Sequence, residues 1–235
     1  MRREYRKWWS PALERDMELL AFGDGGTPVL VFPTSQGRFY QWEDFGLVDH
    51  LAGRVDGGWL QLWCVDSVDA ESFYAKRLPP RDRARRHLAY ERYLLEEAVP
   101  AIRADNATPF LIGAGASFGA SHVAMLLTRH PGLLGKAVCL SGAYRMSRWL
   151  GGELDGDGYF IDPFAFLPGL SDRHYLEPLR RTQVVIATGA EDANVEDSRG
   201  LAALLQDKGA PAELHVWPGW AHDWPYWKEM LDAFL

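Results

Sequence analysis

The chain of 235 residues is 47% hydrophobic and 24% charged, so it can bury a full core without staples; disordered, collagen-like and low-complexity states are excluded. Its net charge of −7 lacks the basic footprint of a nucleic-acid binder, and no apolar run approaches the roughly 18 residues of a membrane-spanning helix. The basic start MRREYRKWWS is followed by no apolar signal core, which makes a cytoplasmic protein the expectation.

Residues 4–9 and 16–22 read as two opening antiparallel strands around Pro11, and Gly23-Asp24-Gly25-Gly26 as a turn. PVLVF (28–32) is a continuous apolar run of buried-strand type. A helix is expected over 42–53 on Phe45, Val48 and Leu51, then a strand over 59–65 (WLQLWCV). Residues 82–103 form a long amphipathic pattern re-aimed near Pro100, and Arg81, Arg83, Arg85 and Arg86 read as its solvated start. Strands follow at 109–113 (PFLIG) and 136–140 (KAVCL), with a helix between them at 118–129. Cys64 and Cys139 sit inside strand runs and are expected to be buried and reduced. The chain closes as strand 183–188, helix 197–208, strand 212–217 and helix 223–235. Strands alternating with helices predict one α/β domain over 1–235, with about eight strands, mostly parallel.

Residues 143–180 interrupt this pattern with glycines, prolines and aromatics, and read as a small insertion over the C-terminal edge of the sheet. Inside it, Asp155-Gly156-Asp157-Gly158 resembles part of a calcium loop. Phe166 stands where the ligating Glu would be, so the segment reads as a turn.

The motif that carries chemistry is Gly115-Ala116-Ser117-Phe118-Gly119, a G-x-S-x-G between an apolar strand and a helix pattern. That is the setting of a nucleophile elbow, in which a strained turn needs neighbours nearly free of side chains. A nucleophilic Ser needs a base and an orienting acid, which follow it in the order acid, then His. Of seven histidines, His222 lies in the loop directly after the last strand, the position of a general base. His50 and His87 fall in surface helix patterns, and His122 faces the helix. His130 ends that helix, His174 lies in the insertion, and His215 is mid-strand. Asp192, in the turn after QVVIAT, is the best acid, with Glu191 its main rival; Glu196 and Asp197 suit an acidic first helical turn. Of the other serines, Ser121 points into packing and Ser141 ends a neighbouring strand. One oxyanion donor should be the Phe118 N–H; the other comes from the loop after PVLVF, where Pro33 has no N–H and Thr34, Ser35 and Gln36 remain, with Ser35 favoured. Phe39, Tyr40, Trp220 and Trp224, with the aromatics of the insertion such as Trp149, could line an apolar substrate pocket, or simply pack the loops together.

PVLVFPTSQGRFYQWEDFG, GAGASFGASH, LSGAYRMS and GWAHDWPYW together resemble the putative esterase group of the α/β-hydrolase superfamily, which includes S-formylglutathione hydrolases, feruloyl esterases and mycolyltransferases. The resemblance implies a Ser–acid–His hydrolase with a minimal cap, and carries over to Ser117, Asp192 and His222, with Phe118 and the 33–37 loop as oxyanion donors. Gln36 departs from the second glycine expected in that loop.

The expected activity is that of a serine esterase working on short-chain or aryl esters through an acyl-enzyme, with no metal or organic cofactor and a small-molecule ester as partner. Acyl transfer and thioester cleavage share that intermediate, so no sequence separates them. A non-catalytic binding protein on the same scaffold, or an interaction protein using a Trp-rich surface, are the rivals; exposed aromatics would permit a homodimer.

Overall fold

The computed structural model describes residues 1–152, 154 and 156–235. Eight strands form one sheet in the order β1-β2-β4-β3-β5-β6-β7-β8. β1 (Arg3–Ser10) and β2 (Arg15–Phe22) make an antiparallel hairpin, and β2 continues antiparallel onto β4 (Leu60–Val65). β3 (Thr27–Phe32), β4, β5 (Ile112–Ala116), β6 (Lys136–Leu140), β7 (Gln183–Gly189) and β8 (Ala212–Trp217) run parallel. Parallel neighbours require crossovers, which put helices on the sheet faces and bury both sides of the central strands. β4 and β5 are accordingly buried along their whole length, and β3 from its second residue on, whereas the edge strand β8 stays half-exposed.

The strands divide their side chains between two cores. Leu30, Phe32, Trp63, Cys139 and Ile186 pack on one face with α6 (Phe118–Arg129) and α10 (Val195–Asp207). Val29, Val31, Cys64, Val138 and Leu140 pack on the other with Trp42, Leu47, Met230 and Leu231. Each fully buried Val or Leu contributes about 1.5–3 kcal/mol. Both cysteines are free and buried, and burial pushes their thiols up.

The order 4-3-5 has a consequence for the site. From β3 the chain crosses to β4 on one side, then returns to β5 on the other. The carboxyl ends of β3 and β5 therefore flank the switch point, where loops diverge and leave a crevice.

Several elements differ from the sequence expectation. The helix over 42–53 is three short ones, α1 (Gln41–Asp44), α2 (Leu47–His50) and α3 (Ala52–Asp56), with the first break where the chain turns through Gly46 at φ 72° and the second at Leu51. The long pattern over 82–103 runs as α4 (Pro80–Tyr93), a π turn (Leu94–Ala98) and α5 (Val99–Asp105). Pro100 cannot donate to the residue four back, and the widened turn before it absorbs that loss. The strand expected at 109–113 begins only at Ile112, and Phe110 is exposed. The basic run is not wholly solvated: Arg83 is buried against the carbonyl of Trp149, and Arg86 pairs with Glu71, while Arg81 and Arg85 stay exposed. Of the turn expected at Asp155-Gly156-Asp157-Gly158, Asp155 lies outside the described residues. Gly156–Ile161 is a helix, α7, followed by α8 (Pro163–Phe166) and α9 (Arg173–Leu179). Among the described residues no helix is long and apolar enough to cross a membrane.

Candidate active site

β5 delivers Ser117 to the switch point with φ 53° and ψ −124°, a conformation that costs a non-glycine residue about 1–3 kcal/mol. The surroundings over-determine it. Ser117 N–H donates to Leu140 O at 2.8 Å, and α6 starts at the next residue. A Cβ on Gly115 would lie 2.3 Å from the carbonyl carbon of Gly119, and one on Gly119 would lie 2.6 Å from Pro33 O. The glycines of the motif thus let α6 fold back on β5 and bring the Ser117 turn against the end of β3.

His222 lies in the 218–223 loop after β8. Asp223, next to it, caps α11 (Trp224–Phe234) by accepting from Trp224 N–H. Ser141 Oγ donates to Ala221 O at 3.2 Å and accepts from Trp227 Nε1 at 3.1 Å, while Glu191 N–H donates to Gly219 O at 2.9 Å. The imidazole is bounded by Trp220, stacked at 5.8 Å, and Trp227, edge-on at 5.4 Å. Its Nε2 lies 3.2 Å from Ser117 Oγ, and its Nδ1 lies 2.9 Å from Asp192 Oδ2. A carboxylate only accepts, so Nδ1 carries the proton and Nε2 is left as acceptor for the serine hydroxyl.

Asp192 is buried in the turn after β7. Burial pushes its carboxyl up. Hydrogen bonds from His222, from Asn194 N–H at 2.9 Å and from Thr188 Oγ1 at 3.1 Å outweigh that and hold it below the usual carboxylate range. Its rival Glu191 is exposed. Asp197 does more than open a helix: it is buried, accepts from Tyr144 N–H at 3.0 Å and pairs with Arg148 at 2.9 Å.

In the loop expected to supply the second oxyanion donor, the candidates differ in where their N–H groups go. Thr34 N–H donates to Gln41 Oε1 at 2.8 Å, which removes Thr34 from the donors. Gln36 N–H donates to Asp69 Oδ2 at 3.0 Å, and Gly37 N–H closes the turn onto Thr34 O at 2.9 Å. Among the described residues, the N–H groups of Ser35 and Phe118 have no protein acceptor. Gln36 stands at φ 55°, the left-handed conformation that favours the glycine expected there.

Of the aromatics expected around a pocket, only Trp220 meets the histidine. Phe39 packs on Tyr5 and Tyr40, and Trp224 stacks on Phe45 at 4.2 Å. Among the aromatics of the 143–180 insertion, Trp149 meets the Phe118 ring at 5.0 Å; Tyr74, which the sequence did not mark, meets it at 5.4 Å. His87 is not on the surface: it is buried beside Phe73 and His122, and burial, with the charge of His122, pushes its imidazole down to about 3.

A hydroxyl facing an imidazole, a buried carboxylate behind it and two free N–H groups beside it are the parts that acyl substitution needs. A family model described as "Putative esterase" matches residues 62–235. No curated protein matches the chain. Among solved structures, a ferulic acid esterase superposes with TM-score 0.74 at 14% identity, over 98% of this chain and 95% of that one. An S-formylglutathione hydrolase from Agrobacterium tumefaciens gives 0.68 at 15% identity, over 98% and 92%. FphF of Staphylococcus aureus, a fluorophosphonate-binding serine hydrolase, gives 0.66 at 18%, over 99% and 96%. The shared architecture is the α/β-hydrolase fold.

Proposed function

The chain belongs to the putative esterase family and is a carboxylic-ester hydrolase; on that premise we propose that it works through an acyl-enzyme on Ser117, with His222 as general base and Asp192 as its orienting acid. The observation that carries this reading is the unbroken hydrogen-bonded chain Ser117 Oγ–His222–Asp192. Ser117 Oγ attacks the ester carbonyl carbon while His222 Nε2 takes its proton. The tetrahedral oxyanion accepts from Phe118 N–H and Ser35 N–H, next to the positive end of α6. As the intermediate collapses, Nε2–H protonates the departing alkoxide and the alcohol leaves. Water, deprotonated by the same nitrogen, then attacks the acyl-enzyme; the acid is released and Ser117 regains its proton. The rings of Tyr74, Trp149 and Trp220 around Phe118 and His222 suit short-chain or aryl esters.

A fluorophosphonate probe tests the assignment without knowledge of the natural ester. One equivalent should attach, on Ser117 by peptide mapping. Attachment to another serine, or none under conditions that label a control hydrolase, would sink the reading.

The base loop offers a second test. A Cβ on Gly189 would stand 2.1 Å from Trp220 O, so Gly189→Ala must push the residues before His222 aside. A displacement of about 1 Å can cost about 10²-fold in rate. Gly189→Ala should therefore lose about that much kcat on p-nitrophenyl acetate and melt at a lower temperature; unchanged kcat would mean that the loop position is not critical.

A further inference from the structure

The loop after β4 holds the oxyanion turn at three consecutive residues. Ser67 Oγ donates to Gly37 O at 2.9 Å, Asp69 Oδ2 accepts from Gln36 N–H at 3.0 Å, and Tyr74 OH donates to Ser35 Oγ at 2.8 Å. The other oxygen of Asp69, Oδ1, lies 2.8 Å from His122 Nε2. His122 belongs to α6, the helix that Ser117 opens, and its ring meets the Phe118 ring edge-on at 5.2 Å and stacks on Phe32 at 5.7 Å. Both members of the pair have side chains no more than 1% exposed.

Burying a carboxylate and an imidazole side by side costs desolvation that an apolar pair of the same volume would not. The arrangement is therefore poorly explained by stability alone. What it accomplishes geometrically is specific. Gln36 is held at φ 55° by its own N–H, and Thr34 by Gln41, so Ser35 sits between two tethered neighbours with its N–H free. Phe118, the other candidate donor, rides on the helix that carries His122.

Building on the serine-hydrolase reading above, we propose that Asp69 and His122 are a positioning pair that fixes the Ser35 N–H relative to the Phe118 N–H by tying the oxyanion turn to the nucleophile helix. His122 Nε2–H donates to Asp69 Oδ1, and Asp69 passes the constraint to Gln36 N–H through its second oxygen. Neither residue touches substrate. The pair acts on the transition state through the turn, so its loss should lower kcat and leave KM nearly unchanged.

The test compares wild type with Asp69→Ala, Asp69→Asn and His122→Phe. Turnover of p-nitrophenyl acetate is normalised to sites titrated with a fluorophosphonate, and amide exchange of residues 33–40 is followed by mass spectrometry. Misplacing one oxyanion donor predicts a kcat loss of about 10²-fold in Asp69→Ala. KM should stay within about twofold, and exchange of the turn amides should rise at least about tenfold. Asp69→Asn keeps an acceptor for Gln36 N–H and should recover most of kcat. His122→Phe keeps the ring volume, and should lose kcat to a smaller extent while remaining folded; it decides the matter if Asp69→Ala does not fold. Wild-type kcat per titrated site in His122→Phe and Asp69→Ala, a change confined to KM, or a loss that Asn does not rescue overturns the proposal. If wild type takes up no fluorophosphonate, the serine-hydrolase reading falls and the proposal with it. If wild type is labelled and the variants keep their kcat, the proposal alone falls.

Discussion

Replacing Ser117 with alanine should lower kcat on p-nitrophenyl esters by about 10⁴- to 10⁶-fold, the range seen when a serine nucleophile is deleted and only the oxyanion donors and binding remain. Alanine keeps the Cβ, so the strained turn is no worse than before and the thermal midpoint should hardly move. Neither Ser121 nor Ser141 can substitute. Ser121 Oγ is committed to Ala143 O at 2.6 Å, and Ser141 Oγ to the base loop, both fully buried. The measurement runs the acetate-to-octanoate series for wild type and Ser117→Ala side by side, and the chain-length profile then sizes the acyl pocket. Full activity in the alanine variant would remove Ser117 from the chemistry altogether.

The residues of this site differ in how far they could be read from the sequence. Ser117 was legible because its constraint is local: two glycines and a strand-to-helix change lie within a few positions. His222 and Asp192 were legible through topology, since each loop follows a strand whose place in the sheet is set by alternation. Asp69 and His122 were not. They are 53 positions apart, and neither carries a local pattern that marks a partner. Ser35 was favoured over Thr34, but the group that separates them, the Gln41 side chain, sits seven residues ahead of Thr34, just before the expected helix, and no local pattern ties it to that loop.

The fold errors have one physical root. Apolar content marks burial, whereas element boundaries depend on backbone geometry that apolar content does not report. PFLIG looked like a strand, but β5 takes only its last two residues and runs on through the small-residue stretch IGAGA, where a Cβ on Gly115 would collide with the start of α6. The helix over 82–103 kept its apolar face yet needed a π turn ahead of Pro100. His87 was misplaced for a related reason: polarity suggested solvent, but its ring packs against Phe73 and His122 below the elbow helix.

Asp192→Asn should lower kcat by about 10⁴-fold, because it changes which imidazole nitrogen holds the proton. Asp192 Oδ1 accepts from Asn194 N–H, so in the variant the amide oxygen keeps that place and the amide nitrogen faces His222. An amide N–H pointing at Nδ1 forces the imidazole proton onto Nε2. That nitrogen would then donate to Ser117 Oγ at the moment it needs to accept. Stability should respond with a definite sign. Hydrogen bonds hold the Asp192 carboxyl below its ordinary range against the opposing effect of burial. Its contribution is therefore complete above the unfolded carboxyl pKa of about 4 and is lost as pH falls through the lower folded value. The difference in thermal midpoint between wild type and Asp192→Asn should be constant near neutrality and shrink on acidification below about pH 4. Circular-dichroism melts across that range read the sign directly. A difference that widens in acid would mean that Asp192 is protonated more readily in the folded protein than in the unfolded chain, and a kcat within about tenfold of wild type would show that the acid does not set the tautomer.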